Sequence, residues 1–162
     1  MSGSDVHRAQ ARELWERGKR LQRKGKLGHA IVLYRRSIVL YPTAEAYTNL
    51  AWAYSVLELY EDAIELCKKA IEVDPGYGNP YNDIGAYLME LEQWQDAIPW
   101  LEEATAAPRY ETPQYAYLNL GHAFEALGEF KKALVHYNRA LVAAPLYMPA
   151  AWARDALLTK LN

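Results

Sequence analysis

Residues 117–145, YLNLGHAFEALGEFKKALVHYNRALVAAP, decide the fold of this chain. Within this stretch a glycine precedes an aromatic residue by nine positions and an alanine by twelve. Equivalent positions recur three times earlier in the chain, at spacings of 33, 34 and 36 residues. The small series is Gly18, Ala51, Gly85 and Gly121, the large series is Leu27, Tyr60, Trp94 and Phe130, and the alanine series is Ala30, Ala63, Ala97 and Ala133. Self-similarity of this length indicates stacked supersecondary units in place of one globular core.

Each period divides into two amphipathic stretches. Apolar residues recur at i, i+3, i+4 and i+7, as in the stretch from Tyr47 to Tyr54, which is the pattern of a helix with one buried face. Gly25 and Gly128 supply turns between the two stretches, and a proline follows each pair at positions 42, 75, 108 and 145. The sequence therefore predicts two helices per period.

Prolines also give local expectations. The pairs Asn79-Pro80 and Thr112-Pro113 predict helix starts, each with a capping side chain before a proline at the first helical position. Pro99 falls inside a predicted helix, where its missing N–H either kinks the helix or confines the proline to a loosened first turn. The segment 108–113 lengthens one period to 36 residues, so we expect a longer loop there.

The pattern resembles the tetratricopeptide repeat. Its large apolar, Gly/Ala, aromatic, Ala and Pro positions are clearest from Tyr81 to Pro108 and from Tyr117 to Pro145, and they are weakest in the first period. The resemblance implies an all-α fold, a right-handed α-solenoid of antiparallel helix pairs. It divides the chain into an N-terminal extension (1–10), four repeats (11–43, 44–77, 78–113 and 114–147) and a C-terminal capping helix (148–162). In the capping helix we expect Trp152, Ala156 and Leu157 to face inward.

Composition and charge narrow the function classes. No apolar run approaches the roughly 20 residues of a membrane-spanning helix, and the N-terminus lacks the apolar stretch of a secretory signal. The single cysteine, Cys67, excludes an intramolecular disulfide, so we expect a reducing, cytoplasmic location.

The net charge of −2 conceals an asymmetry, because residues 1–36 carry ten Lys/Arg against three Asp/Glu and residues 37–162 carry eight against seventeen. Such a field orients a charged partner.

The resemblance also implies a binding surface. In this family the first helix of each pair lines a concave groove, and its known positions map onto candidate partner-binding residues here: Arg12, Trp15, Lys19, Arg23, Asn49, Trp52, Asn82, Asp83, Tyr115, Asn119 and His122. Amide side chains can donate to and accept from one peptide unit of an extended ligand. The alternative is that these asparagines cap or bridge neighbouring helices.

A basic stripe runs along one face of the first helix. Arg8, Arg12, Trp15, Lys19 and Arg23 are three or four residues apart, and together they could hold a carboxylate, a phosphate or an acidic segment. The alternative is a solvated outer end. One subfamily grips the C-terminal carboxylate of chaperone peptides, but only Asn49 matches its residues, so chaperone-tail binding is disfavoured.

Catalysis is not expected. The four histidines are scattered one per helix without an acidic or cysteine partner at metal-ligand spacing, and no cofactor motif is present. His122 and Glu125 are compatible with an acid/base pair, although an incidental helix-surface contact explains them as well. Cys67 falls at a packing position, which predicts a buried, inert thiol.

Three functional hypotheses follow. The first is a non-catalytic module that binds a peptide segment or a helix of a partner protein in the concave groove. The second is a self-assembling scaffold subunit, a homo-oligomer joined through solenoid ends or the convex face. The third is binding of nucleic acid or anionic lipid through residues 8–36, which we disfavour because the acidic remainder repels a long polyanion.

Overall fold

A computed structural model describes residues 2–162, which form nine α-helices and one isolated β-bridge. The helices are α1 (Gly3–Arg23), α2 (Leu27–Leu40), α3 (Ala44–Val56), α4 (Tyr60–Val73), α5 (Asn79–Glu90), α6 (Trp94–Ala106), α7 (Pro113–Ala126), α8 (Phe130–Ala143) and α9 (Met148–Leu161). The chain divides into two compact units at residue 75. Two helices per period are therefore confirmed.

The first unit contains α1 to α4, and each helix packs against the next one along the chain. Its core is built around the buried side chains of Ala30, Tyr34 and Leu50, with Trp15 and Leu66 packed at the edges. A buried hydroxyl, that of Ser37, donates to the backbone carbonyl of Ala11 at 2.7 Å, so α2 is also tied to α1 by a hydrogen bond.

The second unit contains α5 to α9. Here α5 and α6 pack together, α7 contacts both of them, and α8 and α9 follow in order. The largest fully buried side chains are apolar or aromatic: Ile84, Leu101, Leu120, Tyr137 and Leu157.

Small and large residues are matched inside each helix pair. The glycine or alanine of the first helix precedes its partner by sixteen residues in every period; the pairs are Gly18 with Tyr34, Ala51 with Cys67, Gly85 with Leu101, and Gly121 with Tyr137. A β-carbon on any of the three glycines would lie closer than 3.0 Å to the partner side chain. Where the small residue is alanine, the partner is the small Cys67, which is fully buried as predicted. The predicted close approach of paired helices is thus confirmed.

The turns inside the four pairs share one geometry. Gly25 and Gly128 have φ of +74° and +76°, and Glu58 and Glu92 occupy the equivalent positions with φ of 59° and 58°. In the first turn the N–H of Lys26 donates to the carbonyl of Leu21 at 2.9 Å, and the other three turns repeat this bond. This left-handed helix ending favours glycine, so the two glutamates are held there against their intrinsic preference.

The lengthened loop is confirmed, but the predicted helix caps are wrong. Six residues separate α6 from α7, and this loop pairs with the segment before α5 because Gly78 donates to Arg109 and Arg109 to Gly76, each at 3.0 Å. Helix α5 begins at Asn79 with Gly78 as its N-cap, and no side chain caps it. Thr112 is the N-cap of α7, yet its side chain also makes no capping hydrogen bond.

Three packing expectations need correction. Pro99 is the sixth residue of α6, so its confinement to a first turn is wrong. Trp152 and Ala156 are exposed in α9, whose buried residues are Ala150 and Leu157. The two pairs lie on opposite sides of the helix because Ala150 and Leu157, seven residues apart, share a face that Trp152 does not. Phe130, whose series of large repeated residues would be expected to pack helices together, is 39% exposed.

Candidate functional site

In the first unit, three predicted groove residues meet on α1 and α3. The indole Nε1 of Trp15 donates to Oδ1 of Asn49 at 2.7 Å. The ammonium of Lys19 lies 3.7 Å from the centroid of the Trp15 ring and 3.2 Å from the Glu16 carboxylate. Asn49 therefore bridges two helices, which was the alternative to ligand binding raised for these asparagines. Its amide nitrogen still has two donor hydrogens.

The remaining candidates of this unit are exposed. Arg12 and Arg23 lie on the solvent side of α1, and Trp52 on α3 is 40% exposed. Arg12 lines a shallow pocket of about 140 Å³ whose other lining residues are Arg8, Trp15, Ser37, Thr43 and Glu45. The pocket borders the N-terminus of α3, where the hydroxyl of Thr43 accepts from the N–H of Ala46 at 3.2 Å.

In the second unit, two predicted amides meet across α5 and α7. Nδ2 of Asn119 donates to Oδ1 of Asn82 at 3.0 Å. The bond leaves the amide oxygen of Asn119 with capacity for a further partner, because each primary amide has two donors and an acceptor with two lone pairs. The amide nitrogen of Asn82 donates to Asp83 and keeps one further donor hydrogen. As with Asn49, these asparagines bridge neighbouring helices.

Asp83 lies next to this amide pair. Its side chain is partly buried, and desolvation raises the pKa of Asp83 to about 7, against a smaller opposing effect of the hydrogen bond from Asn82. The pKa of Tyr110 is raised above its ordinary value, mainly by burial and to a lesser extent by the charge of Asp83. The Tyr110 hydroxyl lies near Thr112 and Ala116 but reaches hydrogen-bond geometry with neither. Near pH 7, Asp83 therefore exists partly in its neutral form.

A four-residue network surrounds His122. The hydroxyl of Tyr137 donates to Oε2 of Glu125 at 2.6 Å and lies 3.0 Å from Nδ1 of His122. Because that single hydroxyl proton goes to Glu125, the imidazole Nδ1–H donates to the tyrosine oxygen. Nζ of Lys160 on α9 donates to Oε1 of Glu125 at 2.9 Å. His122 and Glu125 thus both contact a core tyrosine, and Glu125 also ties the last helix to α7 through Lys160.

The charges in this network are tuned by burial and by partners. Desolvation lowers the pKa of His122, with Glu125 opposing the shift, so the neutral imidazole is favoured. Desolvation acts to raise the pKa of Glu125, but hydrogen bonds from Tyr137 and Lys160 and the positive charge of Lys160 outweigh it, and the pKa ends below its ordinary value. His122 is thus neutral and Glu125 ionised near pH 7.

An open, mostly apolar groove lies beside the network. Its volume is about 690 Å³, and its walls come from α5 to α9: Met89, Trp94, His122, Glu125, Ala126, Phe130, Ala153, Ala156 and Lys160. Tyr115, 44% exposed on α7, packs edge-on against Tyr147 with ring centroids 5.5 Å apart. A cleft with an apolar floor and a few charged groups at its rim is suited to holding a side chain or a helix of another chain.

The sequence analysis did not single out three residues that contact the candidate site residues of the second unit: Tyr110, Tyr137 and Lys160. The signal for Tyr137 was present, because Tyr34 donates to Gln22 at 2.5 Å in the first unit, and the Tyr137–Glu125 bond repeats that twelve-residue spacing. Lys160 and Tyr110 gave no such signal, since both lie outside the repeated pattern.

Residues 2–162 offer neither a metal site nor a membrane span. That part of the chain contains no group of three or more His, Cys, Asp or Glu side chains arranged to hold a metal ion. Among the same residues, no helix combines the length and the apolar character needed to cross a bilayer.

Comparison with known proteins identifies the class of repeat protein that these stacked helix pairs define. The sequence model described as tetratricopeptide repeat matches residues 44–77 and 115–145. These two segments make up less than half of the chain, and their match agrees with the resemblance to the tetratricopeptide repeat drawn from the sequence. The family is one of protein–protein interaction modules.

Solved structures agree on the fold. The chain is similar to the crystal structure of MamA, with 26% identity over 88% of this chain and 83% of that one and a TM-score of 0.74. It is also similar to PilF of Pseudomonas aeruginosa (22% identity, 98% and 71% covered, TM-score 0.87). A third similar structure is YrrB, described as a TPR protein with an unusual peptide-binding site (22% identity, 91% and 75% covered, TM-score 0.69). The all-α repeat fold class is thereby confirmed.

Proposed function

We propose that this protein is a non-catalytic adaptor that binds a segment of a partner protein at a groove face of each unit. The groove face is the exposed side of α1 and α3 in the first unit and, separately, the exposed side of α5 and α7 in the second. The observation that carries the proposal is the pair of inter-helix bonds, Trp15–Asn49 and Asn82–Asn119. Each fixes a polar side chain on the groove face and leaves amide donors or acceptors unused. Preorganised amides of this kind can bond the backbone of an extended ligand at low entropic cost.

Exposed aromatic groups on the same face add apolar contact area. Trp52 and Tyr115 are 40% and 44% exposed, and neither is required to fill the core. Partly exposed aromatic side chains of this sort commonly contribute most of the binding energy in protein interfaces. The further groove residues of the proposal are Arg12, Lys19, Arg23, Asp83 and His122.

The proposal divides the chain functionally into four repeats, 11–43, 44–77, 78–113 and 114–147, with 148–162 as a closing helix. It assigns no chemical step to any residue. His122 and Glu125, the one acid/base candidate, have a structural task instead, because both contact the Tyr137 hydroxyl. We also keep cytoplasmic location as a prediction, from the single buried thiol of Cys67.

Site-specific photo-cross-linking in the native cell tests the groove assignment, and it does not require the partner to be identified in advance. A photoreactive phenylalanine derivative replaces Trp52 or Tyr115 on the groove face. In matched controls it replaces Val39 or Val142, which are 85% and 83% exposed on the second helices α2 and α8. We expect one discrete cross-linked protein from positions 52 and 115 and none from positions 39 and 142. The reverse pattern would reject the groove.

Self-assembly is the second candidate, and one observation favours it. The outer side of α9 exposes Met148 (47%) and Trp152 (65%), a surface onto which another helix could pack. Electrostatics do not favour end-to-end stacking, because residues 130–162 carry five Lys/Arg against one Asp/Glu and are basic like residues 1–36. Light scattering of wild type and Trp152→Ser decides this candidate. A concentration-dependent rise in mass that Trp152→Ser removes would support it, and a monomeric mass for both would exclude it.

A further inference from the structure

We propose that the first unit binds an acidic peptide segment through the basic stripe of α1, defined as Arg8, Arg12, Lys19 and Arg23 around Trp15. This inference rests on the proposed function and names the chemistry of the partner at the groove face of the first unit. Its starting point is a charge imbalance inside the unit. Among residues 2–162, Arg8, Arg12 and Arg23 have no carboxylate at ion-pair distance, and Lys19 pairs only with Glu16.

The stripe is concentrated on one side of its helix. Its cations form two close pairs on that side, Arg8 with Arg12 and Lys19 with Arg23, and the members of each pair are four residues apart. They lie one turn from each other, inside the screening length of about 8 Å at physiological salt. Like charges at this spacing repel. A bound anion relieves the repulsion, and arginine can bind a carboxylate through two parallel hydrogen bonds.

Trp15 gives the stripe a fixed apolar centre. Its indole is oriented by the bond to Asn49, and the Lys19 ammonium lies over its ring. Beside it, the pocket of about 140 Å³ brings Arg8 and Arg12 to the N-terminus of α3, where the first-turn N–H groups favour negative charge. Glu45 also lines that pocket and offsets part of its positive potential. The Arg8 guanidinium also lies 5.8 Å from the centroid of the Tyr41 ring. The stripe as a whole, whose three guanidinium groups have no carboxylate partner, therefore carries the proposal.

The charge distribution selects a short acidic peptide over a nucleic acid. Within the same unit, residues 58–74 carry six Asp/Glu against two Lys, which repels a polyanion long enough to cross both surfaces. The stripe also presents one tryptophan, whereas proteins that bind single-stranded nucleic acid stack successive bases on several aromatic rings. A peptide with a few carboxylates and one aromatic side chain matches both the cations and the indole.

Fluorescence anisotropy with the full chain tests the inference. The probe is a labelled peptide of about twelve residues, rich in Glu and Asp with one Phe, and a peptide with Lys in place of each acid is its control. We expect saturable binding of the acidic peptide at about 50 mM salt, weakened at least several-fold at about 300 mM, and no binding of the basic one. Absence of saturable binding to the acidic peptide would overturn the inference.

Two charge-matched variants separate the stripe from general electrostatics. Arg8→Gln/Arg12→Gln removes two stripe cations, and Arg17→Gln/Arg20→Gln removes two exposed cations from the other sides of the same helix. The first pair should weaken binding about tenfold and the second less than about twofold, because only the first pair contacts the peptide. Equal losses, or tighter binding of a labelled oligonucleotide than of the peptide, would contradict the assignment.

Two experimental outcomes would contradict the acidic-peptide inference without contradicting the proposed groove function. If positions 52 and 115 cross-link a partner but no acidic peptide binds, the groove function stands and the partner chemistry is wrong. If the chain forms a dimer at low salt that Arg8→Gln/Arg12→Gln dissociates, the acidic occupant is a second copy, and the inference of a separate partner is overturned.

Discussion

The aromatic ring of Tyr137 occupies the space that a side chain on Gly121 would need. A β-carbon built on Gly121 lies within about 3.0 Å of three ring carbons of Tyr137, which is itself fully buried. The absence of a side chain at one position therefore allows a large, fully buried aromatic residue at the other, and it sets how closely α7 and α8 approach. Gly18 and Tyr34 repeat the relationship in the first unit.

Gly121→Ala should destabilise the protein by about 1–3 kcal/mol, because the added methyl group forces the Tyr137 ring to move within a packed core. Gly28→Ala is the matched control, since Gly28 is also helical and a β-carbon there meets nothing within 4 Å. The control should be neutral or stabilising by up to about 0.5–1 kcal/mol. Urea unfolding of both variants measures this. Equal changes in the free energy of unfolding would show that helix spacing is not set by the glycine.

Glu58→Gly and Glu92→Gly should each stabilise the protein by about 1 kcal/mol, because both glutamates have a positive φ that glycine adopts without steric cost. Glu72→Gly, an exposed position inside α4, should instead destabilise it by about 1 kcal/mol. Thermal unfolding of the three variants decides the matter. A lower midpoint for both turn variants would contradict the geometry of these turns.

The fold was predictable where it follows from the repeat. Spacing alone locates the small and large positions, because each must recur for the helix pairs to stack. Glycine marks only two of the four turns, since Glu58 and Glu92 occupy the other equivalent positions. The failures fall where local contacts replace the pattern. At Asn79 and Thr112 the chain enters a helix through the backbone pairing of Gly78 with Arg109, and no side-chain cap is made. Helix α9 lies outside the repeated pattern, so the spacing does not locate its buried side, and the inward orientation predicted for Trp152 is wrong.

Asp83→Asn should stabilise the protein at pH 8 more than at pH 4.5. Burial raises the folded-state pKa of Asp83 to about 7 from an ordinary value of 3.8. A raised folded pKa means that the stabilising contribution is present below the unfolded pKa and is lost as pH rises through about 7, where the folded protein must hold a desolvated carboxylate. The gain at pH 8 should be on the order of 1 kcal/mol.

Chemical denaturation at the two pH values measures this difference, with Gln95→Asn, an exposed and uncharged position on α6, as the control. We expect the Gln95 variant to change stability equally at both pH values, because neither side chain titrates. A gain for Asp83→Asn that is larger at pH 4.5 would reverse the sign of the linkage and would show that Asp83 is stabilised as a carboxylate.

Asn49→Ala should lower the free energy of unfolding by about 1–2 kcal/mol, because the partly buried indole N–H of Trp15 loses its acceptor. Asn49→Asp keeps an oxygen at that position and should cost less. Equilibrium unfolding followed by tryptophan fluorescence compares the two. An alanine variant as stable as wild type would mean that the Trp15–Asn49 bond contributes nothing to stability. It would also contradict the claim that this bond fixes Asn49 in position for binding.

The candidate site was only partly readable from the sequence. The helix faces that carry Asn49, Asn82 and Asn119 follow from their positions in the repeat. Their bonding to neighbouring helices does not, because it depends on which residue stands on the adjacent helix: tryptophan in one unit and asparagine in the other. Tests of binding that remove these amides also remove structural bonds, so exposed aromatic residues are the cleaner probes.

The affinity of the cross-linked partner tests the central claim, that first-helix faces and not second-helix faces bind another protein. Calorimetry would compare Trp52→Ala/Tyr115→Ala with the exposed control pair Val39→Ala/Val142→Ala. The account predicts at least about a tenfold weaker affinity for the aromatic pair and no more than about a twofold change for the valine pair. A tenfold loss in the valine pair with wild-type affinity in the aromatic pair would contradict it.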